Sequence, residues 1–75
     1  MGEYNMPHIN IKMYPGRSEE LKSKLAKHTK EFMIKELEMD EKFISVSVEE
    51  IEKENWQSEV MDKIKDEELY ERPNF

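Results

Sequence analysis

"PHINIKMYPGRSEEL", residues 7–21, decides the fold. It opens with a period of two. Ile9, Ile11 and Met13 point one way, while His8, Asn10, Lys12 and Tyr14 point the other. That alternation is the mark of a β-strand with one buried face. Pro7 stands at its start, where a missing N–H costs least. Pro15-Gly16 then fits the central pair of a turn, because proline presets φ and glycine tolerates positive φ. Ser18 is placed to cap a helix, with Glu19 and Glu20 in the first turn at the positive end of the helix dipole.

Working outward, "EELKSKLAKHTKEFMIKEL", residues 19–37, sets Leu21, Leu25, His28/Thr29, Phe32, Met33 and Leu37 at steps of three and four. This is an amphipathic helix, roughly 30 Å long at its usual rise, with no Gly or Pro inside it. Residues 38–41 read as its exit loop, although no glycine marks the C-cap. "FISVSVEEI", residues 43–51, alternates again, with Ile44, Val46 and Val48 opposite Ser45, Ser47 and Glu49. β-branched residues dominate it, as strands prefer. A loop, "EKENW", leads to "QSEVMDKIKDEELYE", residues 57–71, where Val60, Met61 and Ile64 predict a short, weaker C-terminal helix.

Strand, long helix, strand is a β-α-β unit, so the strands are expected to be parallel with a right-handed crossover. The fold class is α/β (α+β), with leader residues 1–6, a β-α-β domain over 7–66 and a tail over 67–75. Two parallel strands do not make a stable sheet alone. Edge-to-edge pairing of two protomers would give a four-stranded sheet with two helices on one face.

Composition points the same way. Seventy-five residues make one domain of marginal core size. No cysteine offers a disulfide, and no Cys/His cluster a structural zinc, so oligomerisation is the remaining staple. The longest apolar runs are two or three residues, too short for a membrane span. No signal-peptide core is present, and Met6 breaks a myristoylation pattern begun at Met1-Gly2. A soluble cytoplasmic protein is expected. The net charge of −6 lies entirely in the last third: residues 1–48 balance eight acids with eight Lys and Arg, and residues 49–72 set ten acids against four. Phosphate-backbone binding needs a basic patch, so nucleic acid is not an expected partner. The acidic run reads as a solvated face.

A proline opening a short strand, "GRS" heading a long helix, a Val/Ile-rich second strand and an aromatic after a short loop stand together here in order. They are Pro7-His8-Ile9-Asn10-Ile11, Gly16-Arg17-Ser18 and Ile51-Glu52-Lys53-Glu54-Asn55-Trp56. In this the chain resembles the 4-oxalocrotonate tautomerase family, and within it the small dimeric bacterial class, from about Pro7 to Ile64. The resemblance implies a cofactor-independent keto–enol tautomerase acting on a small enol or 2-oxo carboxylate, as a homo-oligomer, a dimer or else a hexamer. It implies that Pro7 is the general base, that Arg17 binds the substrate carboxylate and that Trp56 lines an apolar pocket. A second arginine of the best-known members is replaced here by Ser45. That departure favours a monocarboxylate, such as an arylpyruvate enol, over a dicarboxylate. Lys12 or a residue of a neighbouring protomer is a candidate substitute for the missing cation, and the sequence does not choose between them.

The physics of these roles is specific. A secondary amine is a base only when neutral, and burial or a nearby cation lowers its pKa toward neutrality. Arg17 supplies a cation and a planar fork for a carboxylate. Met13, Phe32 and Trp56 are sources of low dielectric. Yet Pro7 follows Met6, and the nitrogen of an amide, its lone pair delocalised, accepts no proton at neutral pH. Enzyme activity therefore requires residues 1–6 to be absent. The alternative is a non-catalytic binding or structural protein on the same scaffold, its base blocked by a native extension.

Other candidates read as structural. His28 on the helix stripe suits a buried or interface-satisfied histidine better than a catalytic one. His8, on the polar side of the first strand, could border the site. Six methionines suggest adaptable packing. Ser45 and Ser47 have no base near them in sequence, so a nucleophile is a weak reading, and no metal site is expected.

Overall fold

The computed structural model describes residues 6–74. Strand β1 (His8–Met13) leads to helix α1 (Glu19–Leu37), strand β2 (Ser45–Glu50) and a one-turn helix α2 (Trp56–Glu59). The two strands are parallel and in register from His8 opposite Ser45 to Met13 opposite Glu50. The Ser45 N–H donates to the Pro7 carbonyl at 3.3 Å at one end, and the Ile51 N–H to Met13 at 2.8 Å at the other. This is the β-α-β unit expected from the alternating and three-to-four periodic stretches. The leader assigned to residues 1–6 lies, apart from Met6, outside the described residues, as does Phe75 at the end of the tail.

Local chemistry sets each boundary. The Ser18 hydroxyl accepts from the Leu21 N–H at 3.1 Å, capping α1 as its sequence position indicated. The exit needs no glycine because Glu38 itself takes the left-handed conformation (φ 52°), its N–H returning to the Ile34 carbonyl. Asp40 then caps a short 3₁₀ turn that delivers the chain to β2. The helix expected over 57–71 is only one turn long at Trp56–Glu59. Beyond it the chain continues as separate 3₁₀ turns at Met61–Lys63 and Asp66–Glu68. Nucleating a helix is costly, and this stretch has only a thin apolar face to offset that cost.

The core is small. Among the described residues only Ile44, Ile51 and Val60 are buried, at 3%, 5% and 8% exposure. Helix α1 has no fully buried residue. Its inner face is Leu25, Ala26, Thr29, Met33 and Ile34, all half-buried. Leu21, Leu37 and above all Phe32, at 61% exposure, stay in solvent although their spacing put them on the apolar stripe. His28, expected on that stripe, is exposed as well. A two-stranded sheet is only about 10 Å wide, no wider than one helix, and cannot cover a stripe that wraps so far round.

Candidate functional site

β1 carries its polar residues as a connected row on the face where His8, Asn10 and Lys12 stand. Parallel register sets them opposite Ser45, Ser47 and Glu49. The Lys12 ammonium, which can only donate, bonds the Asn10 side-chain oxygen. That leaves the Asn10 amide N–H to donate to the Ser47 hydroxyl at 2.7 Å. The His8 ring closes the row, its Nε2 2.9 Å from Ser47 and its Nδ1 2.7 Å from Ser45. The ring nitrogens and the two serine hydroxyls join in one hydrogen-bonded chain. The serine hydroxyls serve the sheet surface, both bonded to the His8 ring of the facing strand. Among the described residues no three His, Asp or Glu side chains gather to hold a metal ion.

At the C-terminal end of β1 the row meets a groove of about 1270 Å³. Its wall is built by the turn after β1 and by the segment that follows β2. Gly16 takes φ +122°, a conformation that side-chain-bearing residues rarely adopt, and so directs the chain from the strand into the helix cap with Arg17 on the groove. Trp56, at the start of α2, stands edge-on to Tyr14, with ring centroids 5.0 Å apart and planes at 89°. Both rings line the groove together with Met13, Met61 and Ile64. Lys12, Arg17 and Lys53 border it, and among the described residues no Asp or Glu does. Such a surface suits a flat apolar body that carries negative charge.

The sequence-predicted residues therefore divide. Arg17 and Trp56 come together on one groove, with Met13 beside them. Phe32 does not join them; it projects from α1 into solvent. Pro7 sits at the opposite end of β1, next to the start of β2. Six strand steps separate it from Met13, roughly 20 Å along the sheet. Tyr14 and Lys53 were not singled out from sequence. Tyr14 had a legible signal, since it continues the alternation of His8, Asn10 and Lys12.

Comparison with known proteins agrees with this architecture. Residues 7–63 match the family described as "Tautomerase enzyme". The chain is 36% identical over 58 residues to a protein named "Tautomerase PptA" from Cronobacter sakazakii, covering 76% of each. It is 38% identical over 55 residues to a "Probable tautomerase" from Xylella fastidiosa, covering 73% of this chain and 67% of that one. The match takes in both strands, the long helix, the turn carrying Arg17 and the segment carrying Trp56, and on it the chain belongs to the tautomerase family.

Proposed function

We propose that this protein is a cofactor-independent keto–enol tautomerase for a small aryl 2-oxo acid, assembled so that each site draws on two protomers. The observation that carries the reading is the groove that joins Arg17 to the Tyr14–Trp56 pair, cationic at its border and aromatic inside. Arg17 holds the substrate carboxylate through its planar fork. The aryl ring lies against Trp56. Pro7, with its nitrogen free, takes the enol hydroxyl proton and returns it to carbon 3, so that R–CH=C(OH)–COO⁻ becomes R–CH₂–CO–COO⁻ with no net change in protons or electrons. An apolar surround and a nearby guanidinium both keep such an amine neutral to lower pH.

A homodimer resolves the separation of Pro7 from the groove. Both sheet edges are free among the described residues, and Leu21 and Phe32 lie exposed on one flank of α1. A two-fold, antiparallel pairing of edges brings the start of one β1 toward the end of its partner's β1. It creates two equivalent sites per dimer. It also widens the sheet under both helices, which gives the uncovered apolar flank something to bury against.

The direct test is phenylpyruvate tautomerisation by a chain that begins at Pro7, beside the full chain. Turnover by the shorter chain and not by the full one supports Pro7 as base and identifies residues 1–6 as a block. Turnover by neither overturns the enzyme reading in favour of a non-catalytic protein on the same scaffold. Intact mass of the protein from its native host then shows which of the two chains is the native form.

A further inference from the structure

We propose that Lys12 binds the substrate's 2-oxo oxygen, and so takes the part of the second cation that Ser45 does not supply. The inference rests on the tautomerase reading above and deepens it. Ser45 Oγ is engaged by the His8 ring at the far end of the polar row. Lys12 is at the near end, bordering the same groove as Arg17 and Trp56.

An ammonium has three donors. One of Lys12's is used by Asn10, whose own amide is held by Ser47. Glu49 stands 3.6 Å from Nζ, close enough to pair with its charge but beyond hydrogen-bond distance, so it occupies no donor. The side chain is 35% exposed. It therefore keeps a donor for a ligand at the border of the groove. A carboxylate on Arg17 and a 2-oxo oxygen on Lys12 would fix an aryl 2-oxo acid at two points. During tautomerisation Lys12 keeps its proton. It donates a hydrogen bond to the oxygen, which gains negative charge as its own proton leaves for Pro7.

A matched pair of ligands isolates this contact. Phenylglyoxylate and phenylacetate each carry one ring and one carboxylate, and differ in that the first has a 2-oxo oxygen where the second has two hydrogens. Neither needs Pro7 to bind, so the full chain serves. Trp56 is the single tryptophan of the chain, and its indole N–H resonance reports binding in the groove. The full chain is expected to bind phenylglyoxylate about tenfold tighter than phenylacetate, the lower range for a charge-assisted hydrogen bond. Lys12→Met should bring the ratio close to one, and Lys12→Arg should keep most of it. General loss of positive charge weakens both ligands alike and leaves the ratio unmoved. A ratio that survives Lys12→Met, or that is close to one in the unmodified chain, overturns the proposal. Arg17→Ala tests the underlying reading separately: it should weaken both ligands by the same factor, and no effect on either removes the carboxylate assignment whatever Lys12 does. Failure of the unmodified chain to bind either ligand overturns both.

Discussion

The Lys22 ammonium lies 3.2 Å from the Glu50 carboxylate and so ties the first turn of α1 to the last residue of β2. Glu19, one turn away on the same helix, holds the same ammonium at 2.8 Å. The Lys22 pKa is raised from the ordinary lysine value of 10.5, first by the hydrogen bond to Glu19 and then by that to Glu50. A raised lysine stabilises the fold below its unfolded pKa and loses that contribution as pH climbs through the folded one. Lys22→Met should therefore lower the thermal midpoint at neutral pH, and its deficit against the unmodified chain should shrink as pH passes above 10.5. Thermal melts of both chains across that range check this. A deficit that stays constant with pH would mean that the lysine stem, not its charge, does the holding.

Tyr14 and Trp56 come from opposite ends of the sequence and meet edge to face. Edge-to-face pairs contribute about 0.5–1.5 kcal/mol beyond the area they bury. A double-mutant cycle of Tyr14→Leu and Trp56→Leu, read by denaturant unfolding, should return a coupling of that size. The same variants should weaken phenylacetate binding. A coupling near zero would show the two rings to be neighbours without mutual support.

The turn between β1 and α1 carries two separable constraints. The space round a Cβ on Gly16 is open, with nothing within 4 Å, so its φ of +122° is the whole restriction. Gly16→Ala should cost roughly 1–3 kcal/mol through backbone strain alone. Ser18→Ala removes the helix cap and should cost about 1 kcal/mol. Both changes flank Arg17, so both should raise KM for a carboxylate substrate more than they lower kcat. Urea titrations and steady-state kinetics on the active form check the pair.

Much of this was legible because the signals were local. Alternation at residues 8–14 and 43–51 and the Ser18 cap each act over a few residues: the strands His8–Met13 and Ser45–Glu50 fall within the alternating stretches, although Phe43 belongs to a 3₁₀ turn ahead of β2, and Ser18 caps α1. The family resemblance puts forward Arg17 and Trp56 as site residues; both line one groove, and their roles there are proposals. Three things were not legible, each for a physical reason. Periodicity shows that Phe32 is on an apolar stripe but not how wide a sheet lies beneath it. Helical spacing at Val60, Met61 and Ile64 does not reveal that a stretch with so few apolar residues breaks into single turns. Nor does the strand's polar face show from sequence that Lys12, Asn10, Ser47 and His8 form one connected row, because that depends on the register between strands.

If Pro7 and Arg17 of one site belong to different protomers, two inactive chains should repair each other. The full chain has a blocked Pro7 and an intact Arg17. A chain beginning at Pro7 with Arg17→Ala has a free base and no carboxylate binder. In a mixed two-fold dimer, one site collects both defects and the other collects neither. Random assembly makes about half the dimers mixed, each with one good site, so refolding equal amounts together should restore about a quarter of the activity of the intact Pro7-start chain. Phenylpyruvate tautomerisation measured before and after co-refolding reads this directly. No recovery would place base and carboxylate binder on the same protomer, which the roughly 20 Å span of β1 opposes. Adding Phe32→Lys to both chains should suppress the recovery, since a charge on the exposed flank of α1 keeps protomers apart, and sedimentation of that variant should report a monomer.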